Sequence, residues 1–132
     1  TSERNILQQV PNITFVNGLE QEKFSFQMTL SEKLERKTYY EKQFRKITAK
    51  AAEEDYDLLF FDELIYTIRA GLFDEQILLD YLKKEKPEHL EVILTGQQPS
   101  DELVELADYV SEIRKIKHPF DQGLPARPGI EK

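Results

Sequence analysis

A short apolar run that ends in two adjacent carboxylates constrains the fold of this chain more than any other stretch. Residues 56–64 read Tyr-Asp-Leu-Leu-Phe-Phe-Asp-Glu-Leu. The central residues 58–61 are too few for an average helix and consist of Leu and Phe, which predicts a strand buried on both faces. Ligands of open α/β sheets bind outside the carboxyl ends of the strands. Asp62 and Glu63 are therefore predicted to hold Mg²⁺ and the phosphates of a nucleotide, as a Walker-B strand does.

A purely structural role for the same carboxylates is also open. Aspartate is a favoured N-cap, so Asp62 can equally be the cap of a helix that begins near Glu63. Four apolar residues followed by an acid are a common string, and the motif alone has little specificity. The two interpretations are compatible with one another.

Length and composition indicate a single-domain protein of the cytoplasm. The chain of 132 residues is long enough to bury a core, and we predict one α/β domain over residues 1–132. It contains no cysteine, which excludes disulfides and thiolate metal sites. The formal net charge of −7 argues against nucleic-acid binding. No apolar run has the length of a membrane span, so we expect a soluble, cytoplasmic protein without a membrane partner.

Strand-like and helix-like patterns alternate along the chain. Runs of β-branched, aromatic and aliphatic residues predict strands at residues 13–16, 58–61, 90–96 and 109–116. Apolar residues at helical spacing predict helices at residues 29–54, 64–70, 74–84 and after Ser100. This alternation predicts a mostly parallel sheet flanked by helices. Residues 117–132, rich in proline and glycine, are predicted to form an extended C-terminal tail.

Further candidate binding residues lie outside the acidic strand end. Thr95 and Gly96 end a predicted strand with a hydroxyl and an unencumbered backbone, which can approach a phosphate, although an ordinary strand-to-helix turn explains the pair equally well. Phe24 and Phe26 flank a serine, and they either pack on the core or form an aromatic loop. Lys117 in the tail is a candidate for contacting a phosphate as a point charge.

The order and spacing of these motifs resemble the ATP:corrinoid adenosyltransferases of the P-loop type. The most specific matches are Asp62-Glu63-Leu64, Leu94-Thr95-Gly96 and Lys117-His118-Pro119-Phe120-Asp121. Lys86-Pro87-Glu88-His89-Leu90 and the closing Gly129-Ile130-Glu131 also match. The resemblance covers nearly the whole chain and is looser in the first half.

The resemblance implies a P-loop NTPase (RecA-like) fold and transfer of the 5′-deoxyadenosyl group of ATP to Co(I) of a corrinoid, with release of triphosphate, in adenosylcobalamin biosynthesis. It implies catalytic and Mg²⁺-binding roles for Glu63 and Asp62. Binding of ATP or the corrinoid is implied for Phe24, Phe26, Thr95, Gly96 and Lys117, with the two phenylalanines forming an apolar wall against the corrin. The expected ligands are ATP, Mg²⁺ and a corrinoid; the expected partners are a second copy in a homodimer and an electron donor such as a flavoprotein.

The chain departs from the family pattern at several positions. No stretch of the form Gly-x-x-x-x-Gly-Lys-[Ser/Thr] occurs in the 132 residues, so the phosphate loop and the first strand are expected to be missing. Gln97 stands where the family usually has Arg, and Pro125 and Arg127 stand where Lys and Gln are common. A parallel sheet without its first strand has open edges and an apolar gap. We therefore favour a fragment of the enzyme over a natural protein without the loop, with a gap-filling partner chain as a further alternative.

Two other functions are compatible with the residues. One is a non-catalytic relative that binds a corrinoid or a nucleotide, or forms half of a dimer, without turnover. The other is a RecA-like ATPase remnant in which Asp62 and Glu63 act in ATP hydrolysis. The tail motif at residues 117–121 argues against this last function, because such ATPases lack it.

Overall fold

The computed structural model describes residues 2–18 and 25–127. The chain divides into two units, Lys23–Val110 and the combination of Thr1–Glu22 with Ser111–Lys132. Its helices and strands are α1 (Ser2–Leu7), α2 (Leu30–Glu53), β1 (Leu58–Phe61), α3 (Leu64–Arg69), α4 (Glu75–Asp80), β2 (Glu91–Leu94) and α5 (Asp101–Leu106). Single turns of 3-10 helix occur at Ser25–Gln27 and Pro119–Gln122, and a π-helical turn follows α4 at Tyr81–Glu85. Within the described ranges, no helix is both long and apolar enough to cross a membrane.

A two-stranded parallel sheet positions the acidic residues. β1 pairs with β2 in a register that sets Leu58 opposite Glu91 and Phe61 opposite Leu94. Parallel strands need a long crossover connection, and here α3, α4 and the π-helical turn provide it. The predicted α/β class with parallel strands and helices is confirmed.

Helix α2 begins at a capping box. The Thr29 hydroxyl accepts a hydrogen bond from the Glu32 N–H at 3.2 Å, and the Glu32 carboxylate accepts one from the Thr29 N–H at 2.7 Å. The C-terminal half of the helix buries Phe44, whereas Leu30 and Leu34 on its first turns are exposed. The prediction of a long helix here is confirmed, but the apolar residues of its first turns do not pack on the core, and packing begins near Tyr40.

Aromatic contacts join α2 to the inner face of the sheet. The ring of Phe44 lies 5.2 Å from that of Phe61, 5.1 Å from that of Phe73 and 5.5 Å from that of Tyr81, measured between centroids. These separations are within the range of favourable aromatic pairs. Since Phe61 is the last residue of β1, this cluster fixes the strand end from which the two carboxylates follow.

The prediction that β1 is buried on both faces is wrong. Phe61 packs on the core, but Leu58 and Phe60 are 49% and 57% exposed, and Ile93 of β2, paired with Phe60, is 45% exposed. Alternate residues of a strand point to opposite faces. The described helices form a core on the Phe61 face, so the Leu58 face of the sheet remains open to solvent.

Two predicted strands are also wrong. The described residues 13–16 and 109–116 form neither helix nor strand, and the side chains of Tyr109, Ile113 and Ile116 are more than 90% exposed. A strand needs backbone hydrogen bonds from a neighbour. In the described part of the chain, β1 and β2 pair only with each other. The two segments therefore have the composition of strands but no neighbouring strand to pair with.

Replacing Tyr81 by phenylalanine is expected to raise the free energy of unfolding by about 1 kcal/mol. The Tyr81 hydroxyl is buried and has no hydrogen-bond partner among the residues that the structure describes. Leaving a buried polar group unpaired costs about 1–3 kcal/mol, which the substitution removes. The control is Tyr39→Phe, which deletes a hydroxyl that accepts a hydrogen bond from Gln43 Nε2 at 2.9 Å and should bring no such gain.

The same substitution should change the response to alkaline pH. Burial, and to a lesser degree the nearby Glu85 carboxylate, raises the pKa of Tyr81 above its ordinary value. The folded state therefore favours the neutral phenol, and the stability that this gives is lost as pH rises above about 10. Urea unfolding at pH 7 and at alkaline pH measures both effects. A loss of stability of more than about 1 kcal/mol at pH 7 would mean that the hydroxyl has a partner after all.

Candidate active site

The carboxyl ends of the two strands bring four of the predicted site residues together. β1 is followed by Asp62 and Glu63, and β2 by Thr95 and Gly96. The ladder continues one step past β2, since the Thr95 N–H donates to the Phe61 carbonyl at 3.2 Å. Parallel pairing places the ends of neighbouring strands at one edge of the sheet.

The Thr95 hydroxyl joins the two strand ends. It donates a hydrogen bond to Asp62 Oδ1 at 3.1 Å and accepts one from the Glu63 N–H at 2.9 Å. Both carboxylates are exposed. The sequence predicted Thr95 at the end of a strand but gave no signal that its hydroxyl would bind both acidic residues.

Glu63, and not Asp62, occupies the N-cap position of α3. Its backbone is left-handed, with φ 57° and ψ 24°, and its side chain makes no capping hydrogen bond. The interpretation of Asp62 as the cap of this helix is therefore wrong, because α3 begins at Leu64 and the residue before it is Glu63. The Glu63 carbonyl accepts hydrogen bonds from the N–H and the hydroxyl of Thr67, each at 3.0 Å. Glu63 thus keeps an exposed carboxylate while its backbone is held on both sides.

Gly96 allows the end of β2 to approach the first turn of α3. A Cβ atom built on Gly96 would lie 2.7 Å from the Ile65 Cβ and 2.7 Å from the backbone nitrogen of Tyr66. Its φ of 141° is also one that residues with side chains rarely adopt. Close packing therefore requires this glycine, which agrees with the strand-to-helix turn that the sequence offered as one explanation. Approach of a phosphate to Gly96 stays a prediction.

The donor set at this edge suits a cation that takes further ligands from a substrate. Asp62 and Glu63 supply two hard oxygen groups, and the described residues contain no cluster of three or more His, Cys, Asp or Glu side chains able to hold a metal. Mg²⁺ typically binds one or two carboxylates together with waters and phosphate oxygens, without a complete protein cage. The two carboxylates fit that pattern.

Of the two candidate aromatic residues, Phe24 lies outside the described residues. Phe26 lies in the 3-10 turn Ser25–Gln27 and is 77% exposed, so it does not cap the core. The hydroxyl groups of Ser25 and Tyr66 lie 3.1 Å apart in a hydrogen bond. This contact connects the turn Ser25–Gln27 to α3, and the separation of Ser25 and Tyr66 in the sequence does not predict it.

The remaining candidate, Lys117, belongs to the other unit of the chain. His118, the next residue, caps the turn Pro119–Gln122, with its Nδ1 accepting a hydrogen bond from the Phe120 N–H at 3.1 Å. Lys115 and Asp121 form an ion pair of 2.9 Å across the same turn. The tail motif therefore folds into a locally bonded loop.

Comparison with known proteins gives the family of the chain. The family described as ATP:corrinoid adenosyltransferase BtuR/CobO/CobP matches residues 1–131. The corrinoid adenosyltransferase of Sinorhizobium sp. is 35% identical over 91 residues, which are 69% of this chain and 42% of that protein. That of Escherichia coli (strain K12) is 36% identical over 80 residues, 61% of this chain and 40% of the relative.

The corrinoid adenosyltransferase CobA of Salmonella typhimurium (strain LT2) is 36% identical over 75 residues, 57% of this chain and 38% of the relative. The aligned part of the chain thus spans about 40% of the length of the curated relatives it matches. The match of the family over residues 1–131, together with motifs that meet at one edge of the sheet, gives the assignment. The chain belongs to the ATP:corrinoid adenosyltransferase family.

Proposed function

We propose that this chain acts in the transfer of the 5′-deoxyadenosyl group of ATP to Co(I) of a corrinoid, with release of triphosphate, in adenosylcobalamin biosynthesis. The observation that supports this most is the exposed pair Asp62 and Glu63 at the carboxyl end of β1, bound to the Thr95 hydroxyl at the end of β2. This is the edge of a parallel sheet at which ligands bind. Family membership supplies the substrate class.

In the proposed reaction the corrinoid substrate provides the nucleophile. The electron pair of Co(I) forms a bond to the 5′ carbon of ATP as the bond from that carbon to oxygen breaks, and the oxygen leaves with the triphosphate. The protein binds and orients the two substrates. Asp62 and Glu63 are the residues that would hold Mg²⁺. Bound Mg²⁺ supplies positive charge that offsets the charge on the leaving triphosphate.

Other residues are assigned to substrate binding in this proposal. Thr95 and Gly96 border the nucleotide, and Lys117 contacts a phosphate as a point charge. Phe26, together with Phe24, forms an apolar wall against the corrin. The high exposure of Phe26 supports this role, because an aromatic side chain at the surface is available to a large apolar ligand.

We also propose that the sheet belongs to a P-loop NTPase (RecA-like) fold with a further strand and a phosphate loop. The described residues form no third strand in this sheet, and the sequence motif of the loop does not occur in the 132 residues. The exposed apolar face formed by Leu58, Phe60 and Ile93 supports this, since a parallel sheet is normally covered on both faces. The greater length of the relatives is compatible with it. A homodimer, a flavoprotein-type electron donor and a cytoplasmic location complete the proposal.

An alternative function is binding of a corrinoid or a nucleotide without turnover. The absence of a Gly-x-x-x-x-Gly-Lys-[Ser/Thr] sequence from these 132 residues favours it, because that loop provides backbone N–H groups and a lysine for the triphosphate.

An anaerobic assay of the 132-residue chain with Co(I) corrinoid, ATP and Mg²⁺ tests these functions. We expect the visible spectrum to change to that of a photolabile adenosyl corrinoid. A spectral shift without product supports the binding function in its place. If neither product nor shift is observed with this chain, both proposals for it are contradicted.

Phe26→Ala is expected to weaken corrinoid binding about tenfold, which corresponds to the loss of one aromatic contact of about 1.4 kcal/mol. A titration of corrinoid that follows the visible spectrum measures the change. Tyr109→Ala is the control, because it also removes an exposed aromatic side chain, one that carries no proposed role. Equal affinity of wild type and Phe26→Ala would remove Phe26 from the proposed corrin wall.

A further inference from the structure

We propose that Thr95 is a positioning residue whose hydroxyl fixes the conformation of the Asp62–Glu63 turn, and through it the cation affinity of the two carboxylates. The inference rests on the proposed function, in which a cation held by Asp62 and Glu63 serves the transfer reaction. It assigns Thr95 a role different from direct contact with a phosphate.

The hydrogen bonds of the Thr95 hydroxyl leave it no proton for a phosphate. A threonine hydroxyl has one O–H donor and two acceptor lone pairs. The donor is used on Asp62 Oδ1 at 3.1 Å, and one lone pair accepts the Glu63 N–H at 2.9 Å. An ionised phosphate oxygen only accepts, so a hydrogen bond from Thr95 to it would break the contact with Asp62. The arrangement favours a role in holding the carboxylates.

The turn that Thr95 holds is one that needs support. Glu63 has φ 57° and ψ 24°, and a left-handed conformation costs a residue with a side chain about 1–2 kcal/mol. The Thr95 hydroxyl binds the N–H of Glu63, and Thr67 binds its carbonyl twice at 3.0 Å. Loss of the hydroxyl would leave the N–H side of Glu63 without its partner. The turn would then be free to relax and separate the carboxylates.

The backbone of Thr95 is itself fixed on two sides. Its N–H donates to the Phe61 carbonyl at 3.2 Å, and its carbonyl accepts from the Ile65 N–H at 3.2 Å. These bonds tie Thr95 to the end of β1 and to the first turn of α3. The hydroxyl is therefore presented from a rigid element, as positioning of a ligand site requires.

The test compares Thr95→Val, which keeps the shape and removes the hydroxyl, with Thr95→Ser, which keeps the hydroxyl. Mn²⁺ is the probe, and its binding to the 132-residue chain is followed by paramagnetic broadening of the backbone NMR signals of residues 62 and 63. Amide hydrogen exchange of Glu63 is the second readout. Thr38→Val is the matched control, because it also deletes a hydroxyl, one that donates to the Leu34 carbonyl at 3.0 Å.

We expect Thr95→Val to weaken Mn²⁺ binding about tenfold and to speed Glu63 amide exchange by at least as much. Thr95→Ser and Thr38→Val should stay within about threefold of wild type. Unchanged Mn²⁺ affinity in Thr95→Val overturns the proposal, and so does absence of Mn²⁺ broadening at residues 62 and 63 in wild type. Equal losses in Thr95→Ser and Thr95→Val overturn it as well, because the hydroxyl retained in Thr95→Ser would then fail to preserve Mn²⁺ binding.

The outcome is independent of the proposed transfer reaction. Neither readout uses ATP or a corrinoid, so a contrast between Thr95→Val and Thr95→Ser stands even if wild type forms no adenosyl product. Conversely, if wild type forms the product and Thr95→Val matches it in Mn²⁺ binding and amide exchange, the function is retained and the positioning role is rejected.

Discussion

Replacing Gly96 by alanine is expected to lower the free energy of unfolding by about 2–6 kcal/mol. The new Cβ would lie 2.7 Å from the Ile65 Cβ and from the Tyr66 backbone nitrogen, and neither is the flexible end of a long side chain. Overpacking of this kind costs about 1–3 kcal/mol. The φ of 141° adds about 1–3 kcal/mol of backbone strain for a residue with a side chain. The sum is a large fraction of the 5–15 kcal/mol that stabilises a typical domain.

Gly71→Ala is the matched control for this effect. Gly71 also has a positive φ, 74°, but a Cβ there would meet no atom within 4 Å. Its cost should be the conformational part alone, about 1–2 kcal/mol. Urea unfolding followed by circular dichroism measures both variants, and failure of Gly96→Ala to fold is the extreme form of the expected result. Equal losses of unfolding free energy in the two variants would contradict a steric clash between the new Cβ at residue 96 and the first turn of α3.

Glu63→Gln should reduce adenosyl transfer by about a hundredfold to a thousandfold, which is typical of removing one group that stabilises charge in a transition state. The substitution keeps the size of the side chain and removes its negative charge. The fold should be unaffected, because the Glu63 side chain is exposed and makes no capping hydrogen bond. The loss should therefore be in catalysis, through weaker binding of Mg²⁺ beside the triphosphate.

Glu91→Gln is the control for charge. Glu91 is an exposed carboxylate at the start of β2, at the opposite end of the sheet from Glu63. Its substitution makes the same change in net charge and should leave turnover within about twofold of wild type, since exposed charges far from a site are screened. The anaerobic spectral assay with excess ATP and Mg²⁺ compares the two variants. Full activity in Glu63→Gln would exclude this carboxylate from the reaction.

Local sequence signals accounted for much of the fold. The observed caps of α2 and α5, Thr29 and Ser100, lie where the sequence predicted these helices to begin, because a cap depends only on a few neighbouring residues. The four residues of β1 were predicted with their observed bounds. Asp62 and Thr95 each follow a predicted strand, and in a parallel sheet neighbouring strands end at the same edge, where the structure brings the two residues together.

Features that depend on distant partners could not be predicted in the same way. Residues 13–16 and 109–116 have the composition of strands, yet a strand exists only where another strand accepts its hydrogen bonds. The exposure of Phe60 depends on what covers the sheet, which its neighbours in sequence do not encode. The left-handed backbone of Glu63 depends on contacts with Thr95 and Thr67, so the motif gave the residue types at the site without the geometry that holds them.

The register of the two strands also bears on the order in which this region forms. Asp62 and Thr95 are 33 residues apart in sequence, and the helices between them need only local contacts. Closing a loop of that length carries an entropic cost that short-range helical turns avoid. We therefore expect the strand ends to join late in folding, after the crossover helices. Weakening their junction should then act chiefly on the rate of unfolding and leave the rate of folding almost unchanged.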